Sequence, residues 1–138
     1  HTAWTRIHPS SPATSGRMIL VDTSIWIDYL HHGDSAMSFL LESEAVMLHP
    51  FVFGEISLGS LKDRQSYLLE LATIPAATLV PDHEVHVMIE RQKLFGSGIG
   101  YIDAHLLAST LIGDEDLLWT KDRRLAKVAN RLGVDATA

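Results

Sequence analysis

Four carboxylates stand where a carboxylate is conspicuous. Asp22 ends the apolar run "MILVD" (18–22), and Thr23 and Ser24 follow it at once. Glu55 lies in "PFVFGEISLGS", with no other formal charge between Pro50 and Lys62. Asp103, in "YIDAHLLASTLI", is the only formal charge between Lys93 and Asp114. Asp122 follows the apolar "DLLWT" (116–120). An unpaired carboxylate in an apolar setting is costly, so the chemistry depends on whether the four meet. Grouped, such hard oxygen ligands suit Mg²⁺ or Mn²⁺ and not zinc.

Each acid alone has a plainer reading. Asp103 fits the first turn of a helix, where the dipole favours a negative charge. Asp122 fits an N-cap. Glu55 fits the exposed face of an amphipathic helix, and Asp22 a turn at a strand end. The shared site is favoured by the four together, because a parallel sheet brings Asp22 and Asp122 to the same edge.

The elements that must position these acids alternate. Residues 18–22, 45–49 ("AVMLH"), 77–80 ("ATLV") and 116–120 read as short buried strands, and 133–136 ("GVDA") as a short final one. Between them the pattern predicts helices. One runs from a cap at Ser24 through Leu30, and a second follows Asp34 or Ser35. Others start at Pro50, run over 62–73, run from Pro81-Asp82 to about Phe95, span 101–112, and begin at Asp122. "GSGIG" (96–100) breaks the helix before 101. Strands alternating with helices imply an α/β fold, a central parallel sheet of four or five strands flanked by helices.

With 138 residues and 46% hydrophobic content, the chain is long and apolar enough for one domain with one core. It has no cysteine, which fits a reducing cytoplasm, and no apolar run long enough to span a membrane. Residues 1–17, rich in Ser, Thr and Pro, read as a leader, either an expression remnant or an upstream extension, with Met18 as the natural start of an 18–138 domain. Arg6 and Arg17 are the only formal charges of that leader, so residues 18–138 carry −8, nine bases against seventeen acids. That balance is unusual for a nucleic-acid binder. A cation site would explain part of it.

"VDTSIWIDYL", "GEISLGSL", "GIGYIDAHLLAS" and "LWTKDRRL", in that order and spacing, resemble the PIN-domain ribonucleases, and among them the VapC toxins of toxin–antitoxin pairs. The resemblance covers essentially all of 18–138. It implies a PIN-like domain and a Mg²⁺-dependent endoribonuclease, with Asp22, Glu55, Asp103 and Asp122 as catalytic metal ligands. Thr23, Ser24 and Thr120 would orient those carboxylates or water, although ordinary capping explains such hydroxyls as well. The resemblance further implies a structured RNA substrate such as a tRNA or rRNA loop, an inhibiting antitoxin with a basic segment, and a homodimer. Two alternatives remain: a PIN nuclease of RNA processing that is no toxin, and a Mg²⁺-binding receiver-like signalling domain. The second needs paired acids after the first strand, and only Asp22 is there.

Lys121, Arg123 and Arg124 flank Asp122 and could reach RNA phosphates, as a solvated helix start also could explain. "GSGIG" fails the dinucleotide pattern because Tyr101 takes the last glycine's place. His83 and His86 lack partners for a zinc set and read as surface residues, His31 and His32 as a helix end. His105 lies roughly 200° around its helix from Asp103 and should not share a cation with it. Asp28 reads as solvent-facing.

Overall fold

The computed structural model describes residues 17–137. The expected leader therefore lies, except for Arg17, outside the described residues. Strand β1 (Ile19–Val21) is buried throughout and pairs in parallel with β2 (Val46–Met47) on one side and β3 (Leu117–Trp119) on the other. Around them run α1 (Thr23–His32), α2 (Ser35–Glu42), α3 (Pro50–Leu58), α4 (Arg64–Leu71), α5 (Asp82–Arg91), α6 (Tyr101–Ile112) and α7 (Arg123–Arg131). The sheet order is β2-β1-β3. One parallel bridge widens it on each side, Leu48 with Ala76 and Leu118 with Asp135. Of the expected outer strands, 133–136 is bridged at Asp135 alone, and the bridge on the other side falls at Ala76, just before 77–80. After Ala77 the chain leaves the sheet, and the carbonyl of Thr78 accepts from Ser109 Oγ at 2.6 Å, tying the segment to α6.

The continuous apolar strands are explained by burial on both faces. Leu20, Ile25, Trp26, Leu40, Ile56, Leu106, Leu118 and Leu125 are fully buried in one cluster. A smaller cluster of Val80, Val85, Ala104 and Ala108 joins α5 to α6.

Several boundaries differ from the sequence reading. Helix α1 starts two residues earlier than a Ser24 cap would allow, because Asp22 caps it: its Oδ1 accepts from the Thr23 N–H at 2.7 Å. Ser24 is left exposed inside the first turn. Helix α4 is shorter than 62–73, starting after Asp63, whose φ of 52° is left-handed. Helix α5 stops at Arg91 and not near Phe95, because Lys93 turns to φ 53° and the Leu94 N–H folds back to the Ile89 carbonyl. The span 101–112 and the cap at Asp122 are as expected.

Candidate active site

The register of the sheet builds the first half of the site. Val21 pairs with Trp119, so the next residues, Asp22 and Thr120, leave the sheet side by side. The Asp22 N–H donates to the Trp119 carbonyl at 2.9 Å. Thr120, which is buried, donates its hydroxyl to Asp22 Oδ2 at 2.7 Å and accepts from the Asp122 N–H at 3.0 Å. One hydroxyl therefore ties two of the acids together. Asp122 Oδ1 accepts from the N–H groups of Arg124 and Leu125, at 2.9 and 3.0 Å, which caps α7 and leaves Oδ2 free.

The second half comes from helices. Glu55 lies on the exposed side of α3, and its Oε1 accepts from Thr23 Oγ1 at 2.9 Å. An exposed position removes the desolvation cost that made it conspicuous in the sequence. Asp103, half-buried, stands in the first turn of α6 and turns back on it, its Oδ2 accepting from the Gly100 N–H at 3.1 Å. Glu55, Asp103 and Asp122 each keep one carboxylate oxygen without a hydrogen bond among the described residues.

Asp103 feels the other three acids. Burial pushes the Asp103 carboxyl above the usual carboxylate range. The Gly100 N–H opposes that, and the charges of Asp22, Asp122 and Glu55 add to it. Among the described residues, however, no three His, Asp or Glu side chains are placed to hold a metal ion as they stand. The donors fit a hard cation in kind: they are carboxylate oxygens whose repulsion a cation would relieve.

Of the proposed helpers, Thr23 and Thr120 hold Glu55 and Asp22 respectively, and the Ser24 hydroxyl bonds nothing among the described residues. Lys121 Nζ pairs with Asp28 at 2.9 Å, both side chains being about half exposed, and the lysine holds the Asp28 carboxyl below its usual range. Arg123 is exposed. Arg124 lies over Gly98, whose φ is +85°; a Cβ there would meet Arg124 Cδ at 2.8 Å. Glycine thus lets this side chain cross the 96–100 loop.

His83 is exposed, and His31 and His32 end α1. His86 is exposed too, its ring 5.5 Å from that of Tyr101. His105 is buried, its Nε2 bonded to Asp82 Oδ1 at 2.9 Å. That bond, the one from Tyr101 to the same oxygen, and the cap that buried His49 provides to α3 were missed in the sequence. A polar residue inside "AHLLAS" was the available signal for His105.

A family model for the PIN domain matches residues 19–131, from the start of β1 to the end of α7. The chain is 39% identical over 117 residues to Ribonuclease VapC32 of Mycobacterium tuberculosis, in strains CDC 1551 and H37Rv alike. The match covers 85% of this chain and 94% of that protein.

Proposed function

The chain belongs to the PIN domain family, and from that premise we propose that it is the toxin ribonuclease of a toxin–antitoxin pair. It hydrolyses phosphodiester bonds within RNA, at a site formed by Asp22, Glu55, Asp103 and Asp122. The observation that carries this reading is the convergence of four acids from four places in the chain: Thr120 links Asp22 to Asp122, Thr23 next to Asp22 bonds Glu55, and the charges of these three add to the burial that raises Asp103. Nothing in the geometry favours a phosphorelay receiver, since Asp22 is the single acid after β1 and Glu55 lies on a helix.

The cofactor of this reading is Mg²⁺, or Mn²⁺, held by carboxylate oxygens of the four acids. When bound, such an ion stabilises charge on the phosphate and leaving oxygen and makes water acidic enough to attack near neutral pH. Thr120 and the Thr23 N–H hold Asp22 in place, and the Thr23 hydroxyl holds Glu55. Arg123 and Arg124 contact RNA phosphates next to Asp122. Lys121 joins them only by leaving Asp28.

A net −8 on residues 18–138 suits an antitoxin that lays a basic segment across the acids, and the protein works as a homodimer in the cytoplasm. No helix among the described residues is long and apolar enough to cross a membrane. The substrate is a structured RNA, a tRNA or an rRNA loop, selected by shape and unpaired bases. Labelled tRNA and rRNA fragments, incubated with the protein with and without Mg²⁺ and with EDTA, test the reading. Cleavage is expected only with the ion, and only when Asp22 and Asp103 are intact. Equal cleavage by Asp103→Asn would overturn the site. Growth arrest by the wild-type gene alone, relieved by Asp22→Asn, is the expected sign of a toxin.

A further inference from the structure

Asp82 lies outside the acid site, yet its carboxylate is tied to the helix that carries Asp103. Its Oδ1 accepts from Tyr101 Oη at 2.7 Å and from His105 Nε2 at 2.9 Å. Those two residues stand two places before and two places after Asp103 on α6. The His105 end of this contact is rigid. Its side chain is 1% exposed, and its ring meets Phe51 and Tyr101 edge-on at centroid distances of 4.8 Å. The Asp82 end is exposed at 75% and sits in the first turn of α5, where the helix dipole favours a carboxylate. Tyr101 and then His105 hold the Asp82 carboxyl below its usual range.

The start of α6 has little else to secure it. Its N-cap, Gly100, has no side chain to offer. The side-chain acceptor there is Asp103 itself, on the Gly100 N–H. An orphan N–H at a helix start needs such a partner. Asp103 cannot give that oxygen wholly to a cation and still cap its own helix.

We propose that Asp82 is a positioning residue for the acid site: by bonding Tyr101 and His105 it clamps the first turn of α6, so that Asp103 can exchange Gly100 for a cation without the turn fraying. The proposal rests on the reading of Asp103 as a metal ligand. It assigns Asp82 no contact with RNA or ion.

Four variants of the full chain test it. Asp82→Ala removes the clamp. Asp82→Asn keeps an oxygen that can accept from both donors. Tyr101→Phe deletes one bond and no charge. Glu90→Ala removes an exposed acid of α5 whose carboxylate has no partner among the described residues. Amide exchange at Ala104 and His105 is read without metal, and the Mg²⁺ concentration for half-maximal cleavage of one RNA is read separately from kcat at saturating ion.

In Asp82→Ala, exchange at these amides should rise about tenfold, and the Mg²⁺ requirement about three- to tenfold, below the usual loss for a group bonded directly to a ligand. Its kcat at saturating ion should stay near wild type. Tyr101→Phe should move both readouts the same way by less, and the Asn and Glu90 variants should match wild type. Unchanged exchange and Mg²⁺ requirement in Asp82→Ala overturn the proposal, as does a fall in kcat alone or an equal shift in Glu90→Ala. If the wild-type protein needed no metal, the acid-site reading would fail, whereas unchanged exchange would refute the clamp itself.

Discussion

The acids that follow strands and the acids carried by helices are held by different means. Asp22 and Asp122 are joined through one buried hydroxyl, Thr120, at the ends of β1 and β3, two strands buried throughout. Among the described residues, Glu55 and Asp103 each hang on a single bond, one to the Thr23 hydroxyl and one to a backbone N–H of the same turn. The strand half is fixed by long-range architecture, since Asp22 and Thr120 are 98 residues apart. The helix half is held more locally, and in it burial, with the charges of the other three acids added, raises the Asp103 carboxyl. A rigid pair and an adjustable pair are what a site needs if it must admit an ion between like charges.

The largest expected effect removes charge from each half in turn. Asp22→Asn and Asp103→Asn should each lose more activity than the roughly 10–100-fold typical of losing a group that merely supports a ligand. They should differ in stability. Asp103→Asn removes a carboxylate that its surroundings disfavour and should raise the metal-free melting temperature. The pKa shift has the matching sign: with the folded value raised, Asp103-linked stability is present at low pH and lost as pH rises through that value. Asp22→Asn keeps one of two oxygens that both accept hydrogen bonds, from the Thr23 N–H and the Thr120 hydroxyl, and should lower the melting temperature. Calorimetry without metal checks this, and the same sign in both variants would erase the contrast between the halves.

Hydroxyl deletion sharpens it next. Thr120→Val strands the Asp122 N–H and frees Asp22 Oδ2, at a cost of about 1–3 kcal/mol and about 10–100-fold in activity. Thr23→Val releases only Glu55 and, at a partly exposed position, should change stability by no more than about 0.5 kcal/mol. Denaturant melts and cleavage rates compare the two. Equal losses would mean that the helix half is as firmly held as the strand half.

How much of this could be read in advance follows the same division. The acids themselves, helix 101–112 and the Asp122 cap are local facts of charge spacing and helical period. The pairing of Asp22 with Thr120 is not, because no local pattern announces a register between residues 98 apart. The Ser24 cap was misplaced because Asp22, still extended at ψ 157°, can serve both as the end of the strand and as the cap. The expected 77–80 strand lies just past the bridged Ala76, because Ser109, far along the chain, holds the Thr78 carbonyl away from the sheet. The role of Asp82 beyond starting a helix is not legible locally, because its partners, Tyr101 and His105, lie across a break at 96–100.

A smaller effect separates the halves by pH. His49 caps α3, the Glu55 helix, its Nδ1 accepting from the Phe51 N–H at 3.0 Å. Burial first, and then the nearby His105, push its pKa down to about 4. His105 on α6, with Asp82 behind it, faces His49 in this cluster. In the unfolded chain the histidine takes up its proton near its ordinary value, so acid favours unfolding. The contribution is intact above about pH 6.5 and is lost as pH falls toward 4, reaching about 2 kcal/mol by pH 5. His49→Asn keeps a capping oxygen and should flatten the fall of stability between pH 7 and 5, although it costs packing at every pH. Parallel pH curves for the two proteins would show that His49 is not the group responsible.

The smallest effect concerns the bases beside the strand half. Lys121 is paired with Asp28, and both are exposed. An exposed ion pair contributes little to folding, so Asp28→Asn should leave the melting temperature unchanged. It should still alter RNA binding, because a lysine that must leave a partner to reach a phosphate contributes less than a free one. Each single-strand phosphate neutralised adds about 0.7 to the slope of log affinity against log salt. If Lys121 faces RNA, Asp28→Asn should steepen that slope by about this amount, and Lys121→Ala in the same background should return it to the wild-type value. The measurement needs a non-cleavable RNA at several salt concentrations with Mg²⁺ held constant. A slope unmoved by Asp28→Asn would take Lys121 out of the RNA path and leave Arg123 and Arg124 as the bases beside Asp122. The strand half would then present fixed acids flanked by arginine alone, one of the two laid over Gly98, so that even its phosphate contacts would be pinned by the backbone.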